Sequence, residues 1–147
     1  MTCRGLAVGL LALMGGCSAP DYTPVRDWAR SASIAADYPA AAPADDGVAA
    51  MQEALVVWLS ALGVMADDGV LPYPEDPFLT VAPRAAGVDA RGGEAVAALG
   101  RTLRHATRNN LQAPALRDTI RGADPAVQAL VAALSDAVGR RSPGTAA

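Results

Sequence analysis

Apolar positions recur every three to four residues through most of the chain, the period of an amphipathic helix, and nowhere alternate long enough for a strand. The clearest stretch runs from 90 to 109. Val96, Leu99, Leu103 and Ala106 fall on one stripe, and Arg101, Arg104, His105 and Arg108 fall on the reverse face. Asp89 is placed to cap this helix and Asn109-Asn110 to end it. The stretch from Asp45 to Ala66 differs in kind. Val48, Met51, Leu55, Leu59 and Leu62 form its main stripe, while Val57 and Val64 lie on the opposite side, near Glu53 and Ser60. A helix apolar on nearly every side belongs in the interior, so this segment is expected to be the central helix. It is not expected to span a membrane: Glu53 and Asp67 leave thirteen uncharged residues between them, against the roughly 20 a span needs.

The remaining elements are read from breakers and caps. Thr23-Pro24 opens a helix with the threonine hydroxyl as cap and proline at the first helical position. It is expected to reach Tyr38, where Pro39 stops it, with Val25, Trp28, Ala32 and Ala35 on its inner stripe. Residues 67–77 hold Gly69, Pro72, Pro74 and Pro77 and read as a loop. Asp76-Pro77 predicts a capped start for a short helix over 78–86. Pro114 opens another short helix carrying Leu116 and Ile120, which Gly122 is expected to end. Asp124-Pro125 then starts the last helix, with Val127, Leu130, Val131, Leu134 and Val138 as its core stripe and Gly139 as its stop. The predicted fold is all-α: a small antiparallel helical bundle of five to six helices around the central apolar helix. It forms one domain over 24–139, with a flexible tail at 140–147. Composition agrees. Apolar residues make up 52% of the 147 positions but aromatics only 4%, so the apolar weight is Ala, Leu and Val, which favours close-packed helices over strands.

The first seventeen residues follow a different logic. Arg4 supplies a short positive region, residues 5–14 an apolar core, and Gly15 and Gly16 the small residues before Cys17. The apolar run is too short to span a bilayer and has the three parts of an export signal. Cleavage after Ala19 would put Pro20 at the new N-terminus, which ordinary signal peptidase tolerates poorly. Leu13-Met14-Gly15-Gly16-Cys17 resembles the lipobox of bacterial lipoproteins, with methionine where that pattern has leucine or another aliphatic. The resemblance implies removal of 1–16, a diacylglycerol thioether on Cys17, and a lipidated tether over 17–23. Several acyl chains anchor a protein firmly. By the same resemblance, Ser18 in place of aspartate points to the outer membrane, with the bundle facing the periplasm. The mature part, through Ala61-Leu62-Gly63 with Asp67-Asp68, then 116–120 (LRDTI) and 127–130 (VQAL), is similar to an uncharacterised group of small helical proteobacterial lipoproteins. That implies a fold and a location, and no activity. Cys3 leaves with the leader and Cys17 is consumed by lipid, so no thiol remains for a disulfide, a zinc site or a nucleophile.

Charge sharpens the picture. All twelve basic residues are arginine and the net charge is −3, without the basic footprint of a nucleic-acid binder. From Ser31 to Pro83 there are eight acids and no base, while from Arg84 to Arg121 there are seven arginines against three acids. The two halves are expected to complement each other across the bundle, with Glu53, Asp67 or Asp68 reaching the arginines. The alternative is a basic face for an anionic partner, carried by Arg101, Arg104 and Arg108 at i, i+3 and i+7, with Arg117 and Arg121 just downstream. Other candidates give way to plainer accounts. A haem or metal reading would pair His105 with Met51 or Met65, but His105 falls among the arginines and the methionines on an apolar side. Asp67, Asp68, Glu75 and Asp76 bracket the proline-rich loop without the spacing of a calcium-binding EF-hand. Trp58, Tyr73 and Phe78 could line a crevice under that loop but suit ordinary packing. No nucleophile elbow, phosphate loop or metal-binding helix motif is present, so an enzyme is not expected, and no cofactor. The expected role is a membrane-tethered interaction module, bound to the bilayer through Cys17 and to an acidic envelope protein or anionic polymer through its arginines. Carriage of a small apolar ligand in a bundle cavity is the alternative, to be judged by whether the Val57/Val64 side of the central helix closes.

Overall fold

The computed structural model describes residues 20–37 and 45–141. They form α1 (Thr23–Ala36), α2 (Asp46–Ala66), α3 (Val81–Ala86), α4 (Ala90–Arg108) and α5 (Leu116–Arg141), with one turn of 3-10 helix at Ala113–Ala115. No strand occurs among the described residues, and the protein is a small all-α bundle. The leader, Cys17, the expected stop at Tyr38-Pro39 and residues 142–147 lie outside the described residues.

α2 is the centre, as its pattern predicts. α1 packs on it from one side, and α3, α4 and α5 pack on its others. Met51, Ala54, Trp58, Leu62 and Met65 are buried along it. Asp45 accepts the Gly47 N–H at 2.9 Å to cap its start. Its end is set by Asp68, whose φ of 52° turns the chain left-handed, and by the Gly69 N–H, which donates to the Val64 carbonyl at 2.8 Å. At 21 residues α2 is long and apolar enough to cross a bilayer by composition alone, but here it is the core that the other helices cover. The Val57/Val64 side closes only in part: Val57 is half-buried and Val64 is 37% exposed. It meets the α2–α3 loop, and a Cβ at Gly69 would lie 2.7 Å from the Val64 Cγ1.

α1 begins as expected but is rotated from its predicted face. Its buried residue is Ala29; Trp28 is 59% exposed and Ile34 74%. Two causes fix the rotation. α1 passes α2 at Gly63, where a Cβ would lie 3.8 Å from that of Ala29, at ordinary van der Waals contact. Arg26 and Arg30 then reach Asp67 at 3.3 and 3.2 Å, which holds α1 against the end of α2. The start is capped by Asp21, which accepts the Thr23 N–H at 2.9 Å, and not by the Thr23 hydroxyl.

α3 is shorter than the expected 78–86, because 77–80 form a turn in which Asp76 accepts the Phe78 N–H at 2.9 Å. Pro83 falls in the first turn of α3, where its missing N–H has no intrahelical partner to lose. α4 matches its pattern: Asp89 accepts the Gly92 N–H at 2.9 Å, and Val96, Leu99, Leu103 and Ala106 are all buried. Full burial of each Leu or Val side chain is worth about 1.5–3 kcal/mol, so this stripe dominates the attachment of α4. α3 lies so close to α4 that a Cβ at Gly93 would fall 2.5 Å from the Cβ of Ala86.

α5 departs most from expectation. The predicted break at Gly122 and restart at Asp124-Pro125 do not occur, and one helix runs from Leu116 to Arg141 with Pro125 inside it. Leu116, Ile120, Ala123, Val127, Leu130, Leu134 and Ala137 recur at alternating steps of four and three on its packed side, so tertiary burial carries the helix through both breakers. The true stripe also differs at its edges. Val131 and Val138 are 42% and 53% exposed, and Ala133 and Ala137 take the buried places. Gly139 does not stop the helix.

Candidate functional site: two arginine faces and two grooves

The loop of residues 67–77 brings Glu75 over the outer face of α4. Glu75 Oε1 lies 3.3 Å from Arg108 Nη2, and its Oε2 lies 3.9 Å from Arg104 Nε. Arg108 Nε also donates to the Pro74 carbonyl at 3.1 Å. The Arg104 Nε–H is buried without a hydrogen-bond acceptor. Arg101, one turn earlier on the same stripe, is exposed and makes no ion pair among the described residues. Sequence reasoning thus found the right face but the wrong acid. Glu53 lies 3.7 Å from Arg84, Asp67 holds Arg26 and Arg30, and the Asp68 carboxylate accepts the Ala113 N–H at 3.1 Å. Nothing in the helical periodicity singles out Glu75, because a proline-rich loop sets its position.

Beside these arginines an open groove of about 670 Å³ runs between α3 and α4. Leu79, Ala82 and Ala86 form one wall, Ala90, Gly93 and Ala97 the other, with Phe78 between them; Glu94 lies on its rim and Arg101 and Arg104 on its far end, near Glu75 and Asp76. The walls are apolar because alanine and glycine bring α3 and α4 close without filling the surface depression above them.

Arg117 and Arg121 lie elsewhere. Both are exposed on the first turns of α5, one turn apart, with no ion pair among the described residues. They rim a second groove of about 610 Å³, lined by Pro20, Tyr22 and Val25 on one side and by Pro114, Leu116 and Ile120 on the other, with Asp21 and Asp118 also at its edge. The five candidate arginines therefore form two faces, which helix spacing alone did not separate.

Elsewhere the acidic and basic halves do complement each other. Arg84 of α3 grips Asp46 at the start of α2, with Nη2 2.6 Å and Nε 2.9 Å from its carboxylate oxygens. That guanidinium holds the Asp46 carboxyl below its usual range and is itself pushed up. The Gly92 N–H does the same to the capping carboxyl of Asp89.

The other candidates are used locally. His105 is exposed, and its Nδ1 is 3.2 Å from the Asn109 amide, whereas Met51 and Met65 are fully buried. Asp67, Asp68, Glu75 and Asp76 each serve a different arginine or backbone N–H, and no group of three or more metal-ligating side chains gathers among the described residues. Trp58 and Phe78 are core residues at 2% exposure. Tyr73 is partly buried, which raises the pKa of its hydroxyl. No family model matches the chain, and no curated protein or solved structure is similar to it at a significant level.

Proposed function

We propose that the chain is a lipid-anchored, periplasm-facing helical module of the cell envelope that docks an anionic partner, an acidic protein or polymer, along the outer face of α4. The observation that carries this reading is the arrangement of Arg101, Arg104 and Arg108 on one stripe beside an apolar groove, with a single carboxylate among the described residues, Glu75, reaching two of the three. Asp76 nearby is already bound to the Phe78 N–H. Exposed guanidinium groups of this kind steer association with acidic surfaces and fix register more than they add affinity. The anchor part of the reading rests on the lipobox-like run ending in Cys17.

Crosslinking and recovery of partners from native membranes tests both parts. Cys17→Ser is expected to abolish fatty-acid labelling and membrane retention. Changing Arg101, Arg104 and Arg108 together to glutamine is expected to abolish partner recovery while the bundle melts within a few degrees of wild type. A triple variant that melts far lower yet recovers the same partners would assign these arginines to stability instead. Carriage of a small apolar ligand keeps one support: the volume of the α3–α4 groove lies within the range of small-molecule sites. Lipid released from the native protein and lost on filling the groove with Ala97→Phe would favour that reading.

A further inference from the structure

We propose that the face made by the start of α1 and the start of α5 rests on the bilayer that holds the chain, with Trp28 at headgroup level and Arg117 and Arg121 on lipid phosphates. The proposal rests on the reading of Cys17 as the lipid-bearing residue. The first observation is where the chain enters the bundle. Pro20 lines the second groove, and only two residues, Ser18 and Ala19, separate it from Cys17. Even fully extended, the three steps from Cys17 to Pro20 reach only about 11 Å. The end of the bundle that holds Pro20 must therefore lie close to the lipid, and a soluble partner would have to enter between bundle and bilayer to cover it.

The second observation is Trp28. It is 59% exposed, and it sits one turn beyond Val25, which lines the groove. Residues three apart are neighbours on a helix surface, so the indole extends the apolar groove wall outward. Tryptophan combines an apolar body with one N–H donor, which suits the boundary between acyl chains and headgroups. The third observation is the pair Arg117 and Arg121 across the groove, exposed and without ion pairs among the described residues. Asp21 on the same rim is occupied by the Thr23 N–H, and Asp118 sits in the first turn of α5, where the helix N-terminus favours a negative charge. The guanidinium forks remain for phosphate, whose geometry they match. Because the rim carries two acids as well as two arginines, directed contacts and not net charge hold the face down.

The test uses the lipidated protein purified from membranes, its Cys17 adduct checked by intact mass, and reconstituted into vesicles of phosphatidylethanolamine and phosphatidylglycerol. Trp58 is buried, and Trp28→Phe gives its background emission. The Trp28 component is expected to be quenched by a lipid brominated near the top of its acyl chains. It is also expected to be shielded from aqueous iodide severalfold relative to the Cys17→Ser protein in solution. Arg117→Gln with Arg121→Gln is expected to remove at least half of that shielding. If the mass shows lipid on Cys17 while Trp28 stays as open to iodide as in the soluble protein, the orientation is wrong and the anchor stands. If Cys17 carries no lipid, the anchor reading fails and takes this proposal with it. Shielding unchanged in the double arginine variant would overturn the phosphate contacts.

Discussion

Arg104 and Arg108 lie one turn apart on α4, as Arg117 and Arg121 do on α5, yet among the described residues an acid meets only the first pair. In sequence the two pairs are alike: exposed arginines at i, i+4 behind an apolar stripe. The difference comes from what each helix lies beside. α4 is overhung by the acidic proline-rich loop that leads into α3, and Glu75 reaches down from it. The start of α5 faces the point where the chain enters the bundle; of the two acids there, Asp21 accepts a backbone N–H and Asp118 sits in the first turn of α5. Helical periodicity assigns a residue to a face of its own helix; only the packing of distant segments assigns it a neighbour.

The strongest way to break the comparison is to show that α4 has been given the wrong faces. Leu103 is fully buried and Arg104 beside it is only half so. Leu103→Asp places an unpaired charge in the core and is expected to cost about 4 kcal/mol or more. Arg104→Asp loses one long contact to Glu75 and is expected to cost about 1 kcal/mol or less. Urea denaturation followed by circular dichroism measures both. Equal losses would mean that the stripe from Val96 to Ala106 does not face the core, and with it the outward placing of the α4 arginines would fall.

The second prediction concerns the continuity of α5, which places Arg117 and Arg121 on the same rod as Leu130. Gly122 is exposed, has no atom within 4 Å of where a Cβ would lie, and does not have a positive φ. Within an unbroken helix, Gly122→Ala should stabilise the protein by about 1 kcal/mol, because alanine loses less backbone entropy. Had Gly122 ended a helix in the left-handed conformation, the same change would destabilise by a similar amount or more. The sign of the shift in melting temperature therefore separates one helix from two.

These two helices also show what could be read in advance. α2 and α4 were legible to within a residue or two because their apolar periodicity, acidic N-caps and polar ends agree. α5 was not, because Gly122 and Asp124-Pro125 are strong local breakers and the alternating stripe that overrides them is made partly of alanines, Ala123 and Ala137, which carry little signal. α1 failed for the converse reason. Trp28 is the largest apolar residue on that helix and drew the predicted stripe toward itself, whereas the contact that matters is Ala29 at Gly63. Small residues at a close helix crossing are invisible to a hydrophobic count. Among the candidate arginines, the face was legible on α4, but the groove beside it depends on how near α3 comes, and that distance is set by Gly93 and Ala86.

The smallest expected effect on stability is also the sharpest test of the comparison. Glu75 is 75% exposed on its side chain, and its arginine partners are about half exposed. Solvent screens such pairs, so Glu75→Gln should change stability by less than about 1 kcal/mol. Its effect on charge is larger, because the only acid that pairs with Arg104 and Arg108 among the described residues is removed and that face comes to resemble the α5 face. If Arg101, Arg104 and Arg108 receive an anionic partner, Glu75 competes with it, and the variant should recover more partner from membranes, with a steeper loss on adding salt as Arg104 and Arg108 lose their acidic partner. Recovery that falls in Glu75→Gln would mean that the ion pairs prearrange the arginines and that Glu75 belongs to the docking surface. Recovery unchanged at every salt concentration would mean that the arginines of α4 do not receive the partner. The proposed docking face would then be withdrawn, leaving the fold and the bilayer contact proposed for the arginines of α5 untouched.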